Sequence, residues 1–150
     1  MKVIILAGGF PSTIIEQNEK NPKPMAEIGG KPILWHIMKQ YSYYGYNDFI
    51  ICTGYKGEII KEYFMNFYIY QSDITVDLRT NNIEVHRKQT EDWKVSIIDT
   101  GMNSSIIERL LAVEQYIDEE KVLISYGDCL SNINIKMMVD KHNSAKYVIW

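Results

Sequence analysis

The sequence lacks the features that mark several classes of protein. Its 150 residues contain two cysteines, Cys52 and Cys129, which form neither a disulfide framework nor a metal-type spacing. No apolar run reaches the roughly 18 residues of a membrane span, and the short run after Lys2 is too short for a signal peptide. A net charge of −3 gives no basic footprint for nucleic acid. We therefore expect a reduced, cytoplasmic protein with neither nucleic acid nor membrane as a partner.

Length and composition are those of one ordinary globular domain. At 150 residues the chain can bury a sizeable core, and 46% apolar and 23% charged residues are typical of folded domains. Eleven tyrosines are many for this length, and they suit either the core or an oligomer surface. We expect a single domain over residues 1–150 and association into a homo-oligomer.

Short apolar runs alternate along the chain with segments of helical periodicity. The apolar runs predict strands at Val3–Ala7, Asp48–Gly54, Lys94–Asp99 and Val122–Tyr126, and the start of another at Tyr147–Trp150. The periodic segments predict helices at Ile33–Tyr41, Glu58–Tyr68, Asn103 or Ser104 to Ile117, and Ile135–His142. A β-hairpin is predicted where two alternating segments flank Asn81-Asn82: Ile74–Arg79 and Ile83–Arg87.

The near-continuous apolar strands indicate a sheet that is covered on both faces. Strands of this kind belong to parallel sheets with helices on either side, whereas half-exposed strands alternate apolar and polar residues. The predicted fold class is therefore α/β, a doubly wound and mainly parallel sheet in three layers. We expect Val3–Ala7 to be its central strand, flanked by Phe49–Cys52 and Val122–Tyr126.

The first strand is followed by two features that suit a phosphate. Gly8 and Gly9 come directly after it, and residues without Cβ let backbone N–H groups approach an oxyanion closely. Further on, Pro22 and Pro24 hold Lys23 on a stiff, extended segment, where it can deliver one positive charge. The same residues also suit an ordinary strand–turn–helix start with a surface lysine, so both interpretations stay open.

Asp128 follows the strand that ends at Tyr126, and ligands of such sheets bind beyond the carboxyl ends of the strands. A carboxylate near a phosphate loop can hold Mg²⁺, which uses one or two carboxylates and keeps most of its waters. A turn or N-cap role for Asp128 is the alternative. His36 and His86 have no partner in the sequence, so we expect structural roles for them, and Asp128, Cys129 and His142 match no zinc pattern.

Several separate motifs, in order along the whole chain, carry a resemblance to a known family. Leu6-Ala7-Gly8-Gly9 followed by Lys23-Pro24-Met25 resembles the start of the sugar-nucleotide pyrophosphorylases, whose nucleotidyltransferase fold is Rossmann-like. Six further stretches resemble glucose-1-phosphate cytidylyltransferases: residues 28–39, 48–52, 54–57, 60–64, 99–101 and 126–128.

The resemblance implies nucleotidyl transfer, in which glucose 1-phosphate attacks the α-phosphate of CTP to give CDP-glucose and pyrophosphate, with Mg²⁺ required. Positioning and charge neutralisation do most of such chemistry. The implied nucleotide-binding residues are Leu6, Ala7, Gly8, Gly9, Lys23, Ser104, Arg109 and Gly127. The implied catalytic residues are Lys23 and Asp128, of which Asp128 matches one of the family's two metal-binding aspartates.

The chain also departs from the family pattern. Pro11 stands where a glycine belongs and removes one backbone donor, and Thr13 replaces an arginine that grips phosphate. Losing a hydrogen bond to a charged group should weaken nucleotide binding about ten- to a hundredfold or more. Ile107-Glu108 replace a glycine pair, which is expected to put bulk and negative charge near the nucleotide, and Cys129 replaces another glycine.

Three interpretations follow from the sequence. Family members run on beyond the length of this chain and carry the sugar-phosphate site and the second aspartate there, so the chain resembles the nucleotide-binding part. In the first interpretation the chain is a cytidylyltransferase or part of one. In the second it is an inactive remnant that folds and binds nucleotide or a partner. The third interpretation, a dinucleotide-binding oxidoreductase, is disfavoured because the chain has no G-x-G-x-x-G and its second strand ends in Thr53-Gly54.

Overall fold

The computed structural model describes residues 1–9, 20–86 and 90–145, and within them strands alternate with helices as predicted. The strands are β1 Val3–Leu6, β2 Glu27–Ile28, β3 Lys31–Pro32, β4 Asp48–Thr53, β5 Ile74–Asp77, β6 Asn82–Val85, β7 Lys94–Asp99 and β8 Leu123–Tyr126. The helices are α1 Ile33–Tyr43, α2 Gly57–Met65, α3 Phe67–Tyr70, α4 Ile106–Val113 and α5 Ile135–Ser144. Single 3-10 turns occupy Lys23–Met25 and Glu114–Tyr116.

β1 is an inner strand of a four-stranded parallel sheet in the order β7-β4-β1-β8. The register pairs Val3 with Phe49 of β4 on one side and with Leu123 of β8 on the other. Val3, Ile4 and Ile5 are at most 1% exposed, as expected for a strand that is covered on both faces. The predicted α/β fold class and the predicted neighbours of the first strand are confirmed.

Helices cover both faces of this sheet and complete the three layers. On one face, Ile5 belongs to a core that includes Leu34 of α1 and Ile60 of α2. On the opposite face, Ile4 packs in a smaller core that includes Val113 of α4. In the part of the chain that the structure describes, no helix has the length and apolar character needed to cross a bilayer.

Two predicted helices are shorter than their periodicity indicates. The helix predicted over Glu58–Tyr68 breaks at Asn66, whose backbone N–H and side-chain amide both donate to the carbonyl of Glu62, at 3.1 and 3.0 Å. A side chain that satisfies its own helix end in this way stops the helix. The helix predicted to reach Ile117 ends at Val113 and continues as a 3-10 turn. The strand predicted at Tyr147–Trp150 lies outside the described residues.

The predicted hairpin is present, and both its strands are shorter than expected. β5 ends at Asp77 instead of Arg79 because the carboxylate of Asp77 accepts the backbone N–H of Arg79 at 2.9 Å and starts the turn there. Asn81 takes a left-handed φ of 54° within the turn, a conformation that Asn tolerates better than most residues. β6 ends at Val85, and Arg87, the predicted end, lies outside the described residues.

Candidate functional site

A cleft of about 500 Å³ opens at the carboxyl ends of β1 and β8, beside the N-terminus of α4. Open α/β sheets bind their ligands at this position. Residues 6–9, 21–24 and 102–106 line the cleft. Four single residues complete the lining: Tyr55, Arg109, Tyr126 and Asp128.

The structure brings the predicted site residues together in this cleft. Eight of the nine line it: Leu6, Ala7, Gly8, Gly9, Lys23, Ser104, Arg109 and Asp128. The ninth, Gly127, lies behind it, where its N–H donates to the carbonyl of Leu6 at 2.9 Å. A Cβ at Gly127 would lie 3.0 Å from the Cβ of Ala7, so a larger residue would require the end of β1 to shift by a few tenths of an ångström.

Gly8 and Gly9, the two glycines after β1, have different structural roles. A Cβ on Gly8 would lie 2.1 Å from Nη1 of Arg109 and 2.7 Å from the carbonyl carbon of Thr53, so no larger residue fits there. A Cβ on Gly9 would meet nothing within 4 Å. Gly8 is therefore required by the packing beneath the loop, whereas Gly9 borders open space on the side of the cleft.

Arg109 is the packing element beneath that loop, and it is 5% exposed. Its Nη2 donates to the carbonyl oxygens of Gly8 at 2.7 Å and Met102 at 3.3 Å. Its Nη1 donates to Oγ1 of Thr100 at 2.8 Å and to the carbonyl of Thr53 at 3.3 Å. One guanidinium thus ties together the chain segments that leave β1, β4 and β7.

The partners of these two nitrogens are neutral oxygens, so the guanidinium charge is not cancelled by them. A buried cation under a loop of backbone amides makes the cleft favourable for an anion. The same charge also reaches Cys52 on β4. Burial raises the pKa of the Cys52 thiol to about 11, and the positive charge of Arg109 opposes that rise.

The start of α4 fixes where Arg109 points. Ser105 caps the helix: its Oγ accepts the N–H of Glu108 at 3.3 Å, and the Glu108 carboxylate accepts the N–H of Ser105 at 2.7 Å. The sequence predicts Asn103 or Ser104 as the cap, and this prediction is wrong. Ser105 is the cap because the residue three positions after it, Glu108, is the glutamate that closes the capping box. The hydroxyl of Ser104 instead donates to the carbonyl of Thr100 at 2.5 Å.

This cap also fixes the positions of Ile107 and Glu108, the pair that replaces two glycines. Neither residue lines the cleft, and Ile107 is 69% exposed. The backbone and hydroxyl of Ser105 hold the Glu108 carboxylate and lower its pKa below the usual value. Ile107 is thus exposed outside the cleft lining, whereas the Glu108 carboxylate is bound to the N–H of Ser105, which lines the cleft.

Lys23 reaches the cleft from a 3-10 turn and not from the extended segment that the sequence predicts. The N–H of Met25 donates to the carbonyl of Pro22 at 2.8 Å, and the N–H of Ala26 donates to that of Lys23 at 3.0 Å. Pro22 is extended, whereas Pro24 is buried within the turn. The prolines therefore stiffen a turn that presents Lys23 on its exposed side.

Asp128 is the carboxylate of the cleft, and its position fits a divalent cation that arrives with phosphates. Among the described residues no three His, Cys, Asp or Glu side chains are grouped so as to hold a metal ion by themselves. Mg²⁺ does not need such a group, because one carboxylate plus substrate phosphates and waters is a common arrangement. The neighbouring thiol of Cys129 donates to the Asp128 carboxylate at 3.4 Å, and this contact raises the pKa of the thiol.

Sequence reasoning missed several residues of the cleft. Tyr55, Tyr126, Asn21 and Asn103 line it, and Tyr126 is 56% exposed at the end of β8. Tyr55 follows β4 and Tyr126 ends β8, and this position at the carboxyl end of a strand was the available signal for the two tyrosines. Pro11 and Thr13, the two departures from the family's loop, lie outside the described residues.

The sequence matches a family model described as nucleotidyl transferase over residues 2–149. It is 50% identical over 145 residues to a glucose-1-phosphate cytidylyltransferase of Salmonella typhimurium, and the aligned region covers 96% of this chain and 56% of that protein. It is 44% identical over 144 residues to a probable glucose-1-phosphate cytidylyltransferase of Bacillus subtilis, with 96% and 56% covered. The chain therefore spans about half the length of the curated relatives it matches.

Solved structures support the same fold. HddC from Yersinia pseudotuberculosis, in a crystal structure complexed with GMP-PN, superposes with a TM-score of 0.66 over 95% of this chain and 54% of that one. The sequence identity is 23%. At that identity the likeness concerns the arrangement of strands and helices, which agrees with the parallel sheet described above.

Proposed function

Because the chain belongs to the nucleotidyl transferase family, we propose that it takes part in cytidylyl transfer from CTP to glucose 1-phosphate, forming CDP-glucose and pyrophosphate. Within that reaction we assign to residues 1–150 the binding of CTP with Mg²⁺. The observation that carries the proposal is the single cleft in which Gly9, Lys23 and Asp128 meet above the buried Arg109.

The reaction needs little proton chemistry from the protein. A phosphate oxygen of glucose 1-phosphate forms a bond to the α-phosphorus of CTP, and the bond from that phosphorus to the β-phosphate oxygen breaks. Pyrophosphate leaves with the electron pair of that bond. Catalysis of such a displacement rests on alignment and on stabilising charge as it moves to the leaving group.

Each cleft residue has a role that its environment supports. The open side of Gly9 gives phosphate oxygens access to the backbone, and Lys23 adds a positive charge at the edge of the cleft. Asp128 would hold Mg²⁺, which when bound neutralises phosphate charge. Arg109 holds the loop after β1 in place from below, with its Nη2 on the carbonyl of Gly8.

Calorimetry with CTP, UTP, ATP and GTP in the presence of Mg²⁺ tests the binding assignment. We expect CTP to bind more tightly than the others, and Lys23→Gln to weaken it about tenfold to a hundredfold, as loss of a charge-assisted hydrogen bond does. Lys61→Gln, at an exposed position on α2, is the matched control. Equal affinity of the Lys23 and Lys61 variants would contradict the assignment.

The metal assignment has its own test. Asp128→Asn should reduce the gain in CTP affinity that Mg²⁺ provides, because a neutral amide is a weaker ligand for a hard cation. Asp92→Asn, at an exposed carboxylate that does not line the cleft, should leave that gain intact. If both variants respond to Mg²⁺ as the unaltered chain does, Asp128 is not a metal ligand.

Turnover separates an active enzyme from a nucleotide-binding remnant. We expect residues 1–150 alone to bind CTP weakly and to release negligible pyrophosphate when glucose 1-phosphate is added. The double substitution Pro11→Gly and Thr13→Arg should tighten CTP binding without restoring turnover. Pyrophosphate release at the rate of ordinary family members would refute the expectation of impairment and would support full transferase activity.

A further inference from the structure

Thr100 follows β7 directly and does not line the cleft, yet its side chain contacts the guanidinium of Arg109. It is 8% exposed. Three of the four acceptors of that guanidinium are backbone carbonyls, those of Gly8, Thr53 and Met102. The hydroxyl of Thr100 is the fourth, and it is the one that a substitution can remove without altering the backbone.

The Thr100 hydroxyl is held so that it presents a lone pair to Arg109. Its Oγ1 donates to the carbonyl of Thr53 at 2.8 Å, and it accepts from Nη1 of Arg109, also at 2.8 Å. A hydroxyl has one donor hydrogen and two acceptor lone pairs, so both contacts are satisfied at once. Because a β-branched side chain is restricted about χ1, the acceptor stays in one place. One nitrogen of the guanidinium is thereby fixed.

The backbone around Thr100 is also held by hydrogen bonds. The carboxylate of Asp99 accepts the N–H of Gly101 at 3.0 Å, and Gly101 takes a left-handed φ of 91°. The N–H of Thr100 donates to the carbonyl of Thr53 at 2.9 Å. The carbonyl of Thr100 accepts the hydroxyl of Ser104 at 2.5 Å. The residue therefore contacts two side chains that the sequence assigns to nucleotide binding, those of Ser104 and Arg109.

The other nitrogen of the guanidinium acts on the peptide group between Gly8 and Gly9. Nη2 of Arg109 donates to the carbonyl of Gly8 at 2.7 Å. In a planar trans peptide the C=O and the N–H point in opposite directions, so this bond turns the N–H of Gly9 away from the guanidinium. Two successive glycines restrain the peptide group little by themselves. The direction of the Gly9 N–H therefore depends on Arg109.

We propose that Thr100 is a positioning residue of the nucleotide site. Its hydroxyl fixes the guanidinium of Arg109, and the guanidinium directs the N–H of Gly9 to a phosphate oxygen of the nucleotide. The phosphate contact rests on the proposed function, whereas the direction of the Gly9 N–H is a property of the chain without ligand. Thr100 itself makes no contact with the nucleotide.

Nuclear magnetic resonance of the ligand-free chain tests the positioning. Thr100→Val keeps the shape of the side chain and removes the acceptor, so the amide resonance of Gly9 should move. Thr100→Ser keeps the hydroxyl and should leave that resonance close to its original place. Thr75→Val is the matched control, because the hydroxyl of Thr75 contacts Nε2 of His86 at 2.8 Å in the hairpin. A Gly9 resonance that moves no further in Thr100→Val than in Thr75→Val would overturn the proposal.

Calorimetry with CTP and Mg²⁺ tests the consequence for binding. Thr100→Val should weaken CTP binding about tenfold, as loss of one hydrogen bond from a charged donor does, while Thr100→Ser should bind nearly as the unaltered chain does. Circular dichroism checks that each variant is folded. Equal losses in the valine and serine variants would assign the effect to packing of the methyl group and would overturn the proposal.

The Arg109→Lys background separates positioning from a general structural role. If Thr100 acts through the guanidinium, Thr100→Val should weaken CTP binding no further once Arg109 is replaced. A loss that adds in full to that of Arg109→Lys would overturn the proposal. If the unaltered chain binds no CTP, the proposed function fails, and the Gly9 resonance of the ligand-free variants still decides the role of Thr100.

Discussion

Replacing Arg109 by lysine keeps the positive charge and removes the fork that joins the loops. The guanidinium makes two hydrogen bonds at 2.7 and 2.8 Å and two at 3.3 Å, from two nitrogens that face different segments. A single ammonium cannot reach all four oxygens. Losing two bonds from a charged donor should lower the free energy of unfolding by about 2–4 kcal/mol, since each such bond contributes roughly 1.5–3 kcal/mol and neighbours are not additive.

Urea denaturation measures this loss, with the same substitution at Arg79 as control. The Arg79 side chain is 90% exposed and pairs with Asp77, so Arg79→Lys should change stability by less than about 0.5 kcal/mol. A domain of this size has roughly 5–15 kcal/mol of stability, so the Arg109 variant should still fold. A loss at Arg109 no larger than that at Arg79 would refute the reasoning.

The CTP affinity of the same variant shows whether Arg109 only stabilises the fold or also positions the loop after β1 for nucleotide binding. If Arg109 holds the Gly8 carbonyl so that the loop can meet a nucleotide, Arg109→Lys should weaken CTP binding at least tenfold under conditions where the variant is folded. If it only stabilises the fold, the dissociation constant for CTP should stay the same. Unchanged CTP affinity beside a large stability loss would remove Arg109 from the binding machinery.

Four further predictions follow from single contacts or from the burial of single side chains. Gly8→Ala should cost several kcal/mol in urea denaturation, because its Cβ would lie 2.1 Å from a buried guanidinium nitrogen, while Gly9→Ala should cost about 1 kcal/mol or less. Ser105→Ala removes the cap of α4 and should lower the unfolding free energy by about 1 kcal/mol; no change would argue against the capping box. Iodoacetamide at pH 8 should label Cys129, which is exposed, and spare Cys52 until the chain unfolds. Since the pKa of Cys52 is about 11 when folded and near 9 when unfolded, stability should fall as the pH rises through that interval, and a flat profile would contradict the burial.

The two neighbours of β1 could be predicted because the three strands are recognisable in the sequence. Val3–Leu6, Asp48–Thr53 and Leu123–Tyr126 are apolar runs of strand length, and doubly wound folds place successive runs in a limited set of orders. The meeting of Lys23 and Asp128 in one cleft followed from the same rule about carboxyl ends. Their roles with nucleotide and metal stay predictions.

The details that could not be predicted depend on contacts between distant residues or on a choice between neighbours. Asn103, Ser104 and Ser105 can all cap a helix, and only the capping-box partner decides in favour of Ser105. The hydrogen bond from the Ser105 N–H to the Glu108 carboxylate follows from that choice. Two of the four acceptors of Arg109, the carbonyls of Gly8 and Thr53, lie 101 and 56 positions away in sequence, so no local pattern reveals that its guanidinium is buried.

The central position of β1 also has a consequence for synthesis of the chain. Val3 pairs with Leu123, 120 positions later, and the guanidinium of Arg109 reaches back to Gly8 across 101 positions. Contacts of such high contact order slow folding, because a long loop must close before they contribute. During translation one edge of β1 stays bare until β8 leaves the ribosome, and a bare apolar strand is a site for aggregation or for a chaperone. The cleft, built from the first and the last of these segments, is then among the final parts of the domain to form.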